Sequence, residues 1–292
     1  MLAELTNPVL LVIEPDPTIF GRISSALTEI SGDFEALQAE SIDAGARTLS
    51  SRRVDVVIAS LDLPEAPGIA AIERLTTVTR AVPIVALTDG AQEELAAGAV
   101  QAGAQDYLLL ESITTPLLGR TIRHAIERHR LLMELEQARE REAYLATHDA
   151  LTGLPNRDLL FDRLAEALER AKRYGESFAV GFVDVDDLHA INDRHGRETG
   201  DSVIAQLGKA LAGSVRRSDT VARVGGDEFV LLIERIPNRP VAERVLHDAG
   251  RRAAGQMKLG GGALPLTVSM GVAMFPMDGR DPEQLVRAAD TA

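Results

Sequence analysis

Four short aliphatic runs separated by stretches of helical periodicity constrain the first part of this chain more tightly than any other feature. Val9 to Ile13 is an unbroken apolar segment and Val54 to Ala59 is interrupted only by Asp55, the pattern of strands buried on both faces of a parallel sheet. Between them Ile19, Ile23, Ala26, Leu27 and Ile30 recur at helical spacing. Val82 to Thr88 reads as a further strand ending in turn residues, "EELAAGAVQAG" as a helix, and Gln105 to Leu110 as a last strand. Strand-helix alternation of this kind predicts a doubly wound α/β domain.

From Thr115 to about Thr147 the character changes: glycine is absent after Gly119, and Arg, Glu and Leu dominate. Leu131, Leu135, Ala138 and Leu145 fall at steps that line one seam of a paired helix. A solvated connector helix explains the same pattern, so dimerisation and simple connection both stay open. From Asp149 strands and helices mix again: "SFAVGFVDV" and "LTVSMGVAMF" read as strands, "RDLLFDRLAEALERAKR" and "DSVIAQLGKALAGSV" as helices. A length of 292 residues fits two domains, and the boundaries expected are 1–127, a helical linker over 128–147, and 148–292.

Composition removes several function classes. A net charge of -13 argues against a nucleic-acid surface while leaving room for a local basic pocket. Aromatic content of 3% offers no stacking platform for single strands. With no cysteine there is no disulfide, thiolate metal site or thiol catalysis. The N-terminal "MLAELTNPVLLVIEPDP" lacks a basic leader, and its apolar run falls far short of the ~20 residues of a membrane span. A cytoplasmic protein without membrane or nucleic-acid partners is the expectation.

Within the second half, "ARVGGDEFV" (Ala222 to Val230) sets two glycines and two carboxylates between strand-forming residues. A Gly-Gly pair there is a hairpin signal, since tight turns use positive φ, but the turn leaves Asp227 and Glu228 unexplained. Asp184 and Asp186 in "FVDVDD" lie where an apolar strand gives way to a helix. Strand-end carboxylates beside an acidic hairpin suit Mg²⁺, which is commonly held by one or two carboxylates plus substrate phosphates. Helix N-capping by Asp186 or Asp187 is the plainer alternative and accounts for one acid, not for Asp184. An EF-hand fails, because Leu188 and His189 stand where an oxygen ligand and a glycine are needed.

The segments "HDALTGLPNR" (His148 to Arg157), "DVDDLHAINDRHGRETGD" (Asp184 to Asp201) and "RRSDTVARVGGDEF" (Arg216 to Phe229) together resemble the GGDEF domain of diguanylate cyclases, from residue 148 to the end. The resemblance implies a homodimer in which two GTP molecules condense to cyclic di-GMP with release of pyrophosphate, on Mg²⁺ or Mn²⁺. It implies metal binding by Asp184, the Val185 carbonyl and Asp227, and catalysis by Asp227 and Glu228. Nucleotide contacts would come from Asn192 and Asp201 on the guanine, and from Leu188, His189, Gly225 and Gly226. The R-x-x-D of Arg216 and Asp219 would bind product as an inhibitor; such a pair is otherwise a common surface salt bridge.

Departures accompany the match. Leu188-His189 stands where the family usually has Phe-Lys, which replaces an always-charged cation with an imidazole, and Arg197 stands where a histidine is usual. "EQLVRAADTA" stops before the helix that normally carries the triphosphate-binding Lys and Arg, so a continuation, for example into an EAL-type phosphodiesterase domain, is expected.

The N-terminal part resembles a response-regulator receiver, through "LLVIEPDP", "DVVIASLDLPEAPG", "VPIVALT" and "GAQDYLLLE". In the implied register Ser60 takes the acceptor-aspartate position, Glu14 is what remains of the acidic pair, Leu110 takes the lysine position, and Thr88 alone is retained. Asp62 lies two residues past the strand end. Ser60 cannot form an acyl phosphate, so a receiver acting through a protein partner or dimerisation, without aspartyl phosphorylation, is expected. A catalytically inactive module that binds GTP or cyclic di-GMP and controls a partner is the second function class carried forward.

Overall fold

The structure is a computed structural model and describes residues 8–30, 34–89, 93–259 and 262–292. It divides into two compact units, 1–138 and 139–292. In the first, the elements run β1 (Val9–Ile13), α1 (Pro17–Thr28), β2 (Glu35–Ala39), α2 (Ile42–Ser51), β3 (Val56–Ser60), a small hairpin β4 (Asp62–Leu63) and β5 (Ala66–Pro67), α3 (Ile69–Val78), β6 (Ile84–Thr88), α4 (Glu93–Gln101), β7 (Asp106–Leu109), a 3₁₀ turn at Leu110–Ser112, and α5 (Thr115–Thr147). The five main strands form a parallel sheet in the order β2-β1-β3-β6-β7, the doubly wound arrangement expected from the alternation. Alternate residues serve opposite faces: Leu11, Ile13 and Val57 pack with Ile42, Ile72 and Leu75 of α2 and α3, while Leu10, Val12 and Ile58 meet Ile23, Leu27, Leu118 and Ile122 of α1 and α5. Asp16 and Ser41 cap α1 and α2 by accepting the N–H groups of Thr18 and Ala44.

The second unit continues with α6 (Arg157–Tyr174), β8 (Phe178–Val185), α7 (Leu188–His195), α8 (Arg197–Ser214), β9 (Thr220–Arg223), β10 (Glu228–Ile233), α9 (Arg239–Ala253), β11 (Gly255–Leu259), β12 (Gly262–Leu266), β13 (Val268–Phe275) and α10 (Pro282–Thr291). An antiparallel sheet of order β13-β8-β10-β9 has helices on both faces. Val183, Phe229 and Leu231 point to the side of α8 and α9, with Val203, Leu207 and Leu246. Val180, Phe182, Val230 and Leu232 point to α6 and α10, with Leu160, Leu164 and Leu285. This two-residue alternation decides where the strand-end acids emerge. Among the described residues, no helix is long and apolar enough to cross a membrane.

Candidate active site

Asp184 is the one exposed position in β8. By the period of the strand it continues the row of Val180 and Phe182, on the side covered by α6 and α10. The pairing register sets Glu228 of β10 directly across from it on one side and Ser269 of β13 on the other. The turn is closed by the Val224 N–H donating to the Glu228 carbonyl at 3.0 Å, which leaves Gly225, Gly226 and Asp227 as the connection. The Val185 N–H donates to the Asp227 carbonyl at 3.3 Å, so Asp227 is held against the end of β8.

Electrostatics confirm that these acids share one field. Burial, then the Asp227, Asp186 and Asp290 carboxylates, raise the Asp184 pKa above the usual value, against a lowering bond from the Val185 N–H. Glu228 is likewise raised, by burial first and then by Asp184, Asp227 and Asp290, while Arg157 opposes the rise. Asp186 is pulled the other way by hydrogen bonds from Thr267 and Ser269, the Ser269 hydroxyl donating to it at 2.7 Å. The donors are all oxygen, and among the described residues no three acidic or histidine side chains close into a cage of their own. Repelling carboxylates with an incomplete cage fit a hard divalent cation whose remaining ligands come from outside the protein.

Two expectations about the turn change. Neither Gly225 nor Gly226 adopts positive φ; the three-residue connection does not need it. Gly225 leaves room instead for the Glu228 carboxylate, which a Cβ there would displace from its present position, whereas Gly226 faces open space. Nor is α7 capped by Asp186 or Asp187: Asp187 occupies the N-cap at φ 55° without a side-chain capping bond, and Asp186 bonds to β13.

On the other face of the sheet, Asn192 lies in the last part of α7 and Asp201 is exposed in α8. A Cβ on Gly200 would collide with the Asn192 amide, so the glycine brings that amide against the helix one residue from Asp201. Leu188 is half-buried against the core. His189 is almost wholly exposed, 3.6 Å from Asp193. At the R-x-x-D turn the Asp219 carboxylate accepts the Arg216 N–H at 3.0 Å and the Glu234 N–H at 3.3 Å, and among the described residues the Arg216 side chain has no partner.

A network that the sequence did not reveal braces the turn. Arg223 donates from Nη1 to both Asp149 oxygens, at 2.9 and 3.1 Å, and from Nη2 to the Gly226 carbonyl at 2.7 Å. Asp149 also accepts the N–H and hydroxyl of Thr152. Asn156 caps α6 while its amide donates to the Ala146 carbonyl at the end of α5. A cavity of about 420 Å³ beside the turn is lined by Asp149, Arg157, Asp158 and Arg223. In the sequence, "HDALTGLPNR" carries only its part of the family resemblance, and nothing in it points to Arg223 as the partner of Asp149.

In the first unit the receiver positions are assembled but altered. Ser60 ends β3, buried, and its hydroxyl oxygen accepts the Asp62 N–H at 3.3 Å. Thr88 ends β6, buried. Glu14 follows β1, with one carboxylate oxygen accepting the Asp16 N–H at 2.9 Å and the other buried without a partner. Leu110 starts the 3₁₀ turn, one residue after the strand expected to include it, and its carbonyl accepts from Arg22 at 2.8 Å. Asp62 is exposed in the β4–β5 hairpin.

Comparisons with known proteins agree with this arrangement. Residues 146–292 match the family model "Diguanylate cyclase, GGDEF domain", and residues 10–112 match "Response regulator receiver domain". The chain is 39% identical over 165 residues to the bifunctional diguanylate cyclase/cyclic di-GMP phosphodiesterase MucR of Pseudomonas aeruginosa, covering 56% of this chain and 24% of that protein. It is 37% identical over 170 residues to the diguanylate cyclase TpbB of the same species, covering 56% of this chain and 39% of that one. To the response regulator PleD of Caulobacter vibrioides it is 30% identical over 243 residues, covering 81% of this chain and 53% of PleD. The chain therefore spans between a quarter and about half of these relatives. With its second half matched throughout and its turn, strand-end acids and helices in place, the chain belongs to the GGDEF family, with a receiver domain ahead of the GGDEF domain.

Proposed function

We propose that the GGDEF domain of this chain is a diguanylate cyclase, condensing two GTP molecules into cyclic di-GMP as a homodimer in the cytoplasm. The observation that carries this reading is the single electrostatic cluster that Asp184, Asp227 and Glu228 form at the strand end and turn. Asp184, the Val185 carbonyl and Asp227 would hold Mg²⁺ or Mn²⁺. The cation supplies charge neutralisation at the α-phosphate and at the leaving pyrophosphate.

The protein's own groups orient and move protons. Asp227 accepts the proton of the attacking 3′-hydroxyl, and Glu228, which burial and its acidic neighbours make a stronger base than an ordinary glutamate, is placed to assist it. Asn192 and Asp201 read the guanine edge, the carboxylate accepting from its N–H groups. Gly225 keeps the Glu228 carboxylate tucked at the turn. Arg216, with its side chain free among the described residues, would bind the product at a second, inhibitory position with Asp219.

The test is incubation of the chain with GTP and Mg²⁺ and chromatography of the products. Cyclic di-GMP that disappears with Asp227→Ala supports the cyclase. Absence of product with guanine nucleotide still bound supports instead a GTP- or cyclic di-GMP-binding module that acts on a partner. His189, exposed beside Asp193 where the family has lysine, is the observation that favours this second reading.

A further inference from the structure

The receiver domain contains a cavity of about 350 Å³ between the C-terminal end of α3, the start of β6 and α5. Its volume lies within the range of small-molecule sites. Val82 and Ile84 of β6 and its lead-in give an aliphatic lining that Met133 and the largely exposed Leu132 of α5 extend. One wall is pinned by Gln105, which accepts the Ile84 N–H at 2.6 Å, donates to the Gly103 carbonyl, and offers its own carbonyl to Arg128 at 2.9 Å.

His129 on α5 forms part of the lining and is buried, and its Nε2 has no hydrogen-bond partner. A buried polar atom without a partner costs about 1–3 kcal/mol. Arg80 also lines the cavity and has no ion-pair partner among the described residues, so its forked donors are available to a carboxylate. Glu136 also lines the cavity, so repulsion from it disfavours any anionic group that is not seated on Arg80.

We infer that this cavity is a binding site for a small aliphatic monocarboxylate, with its chain on the aliphatic lining, its carboxylate on Arg80 and a hydrogen bond to His129. Such a ligand would tie α5, through His129, Leu132 and Met133, to the body of the receiver fold. It offers this domain an input that does not require the acceptor aspartate missing at Ser60.

The test uses the full chain labelled with ¹⁵N-histidine, with the His129 resonance identified by its absence in His129→Gln. Hexanoate is titrated at constant ionic strength, and hexanamide serves as the uncharged control. A ligand of this size binds on the order of millimolar. Expected is a saturable shift of the His129 nitrogens with hexanoate, with half-saturation raised at least about tenfold for hexanamide and for Arg80→Ala, a variant at an exposed position. No saturable shift overturns the site; an equal response to the amide, or from Arg80→Ala, overturns the carboxylate assignment.

Discussion

Asp149→Asn removes the charge that Arg223 faces while keeping the shape of the side chain. The pair is well shielded, with side-chain exposures of 14% for Arg223 and 23% for Asp149, and it is made of two N–H···O contacts at 2.9 and 3.1 Å. Breaking a buried pair costs about 3–5 kcal/mol and a hydrogen bond to a charged group about 1.5–3 kcal/mol. Residual exposure and the Thr152 bonds that asparagine can retain place the expected loss near 2–3 kcal/mol. For a unit of this size that is a fall of roughly 5–10 °C in Tm, read by calorimetry in the transition of residues 139–292. The double-mutant cycle with Arg223→Gln should return a coupling of about 1.5–3 kcal/mol.

The pH dependence has a definite sign. Burial alone would raise the Asp149 pKa, but the Thr152 hydroxyl, Arg223 and the Thr152 N–H outweigh it, so the folded value lies below that of an ordinary aspartate. The unfolded chain binds more protons in that window, and the contribution of Asp149 is therefore complete above pH ~4 and lost as pH falls through the folded pKa. The stability gap between wild type and Asp149→Asn should narrow only below that point. A coupling under about 0.5 kcal/mol, the value of an exposed pair, would refute the clamp.

Other outcomes follow from the same structure. Gly225→Ala should lower cyclase turnover at least about tenfold and reduce the Tm of the GGDEF unit by a few degrees, since the new methyl displaces the Glu228 carboxylate; unchanged turnover would show that Gly225 has no such role. Because burial and neighbouring acids raise the pKa of Asp184 and Glu228, the folded unit loses stability as pH rises through the folded values and these carboxylates ionise, and millimolar Mg²⁺ at neutral pH should offset that loss, raising the Tm in wild type and not in Asp227→Ala. Arg216→Ala should weaken cyclic di-GMP binding by calorimetry at least about tenfold, and an unaltered affinity would assign Arg216 to the solvent. Beryllofluoride and acetyl phosphate should leave the receiver domain unmodified, with Ser60 buried at the acceptor position; incorporation detected by mass spectrometry would overturn that.

Local pattern carried much of the fold, because burial on both faces writes continuous aliphatic runs into β1, β3 and β6, and amphipathic burial writes the helical period into α1 and α6. The same logic placed Asp184 at a strand end and the glycine pair in a turn. Pairing register, however, is a property of two strands at once: that Glu228 lies opposite Asp184 is fixed by how β10 meets β8, and no single segment encodes it. Contacts across long sequence separation were equally invisible. Arg223 finds Asp149 across 74 positions, and the space that Gly200 yields to Asn192 exists only where α7 folds against α8. His129 read as one more polar residue of a connector helix, and only the packing of α5 over β6 buried its nitrogen beside a cavity. Side-chain chemistry and period are local and legible in the sequence, whereas mutual burial, charge coupling and empty volume arise when distant segments meet, and those the tertiary structure decided.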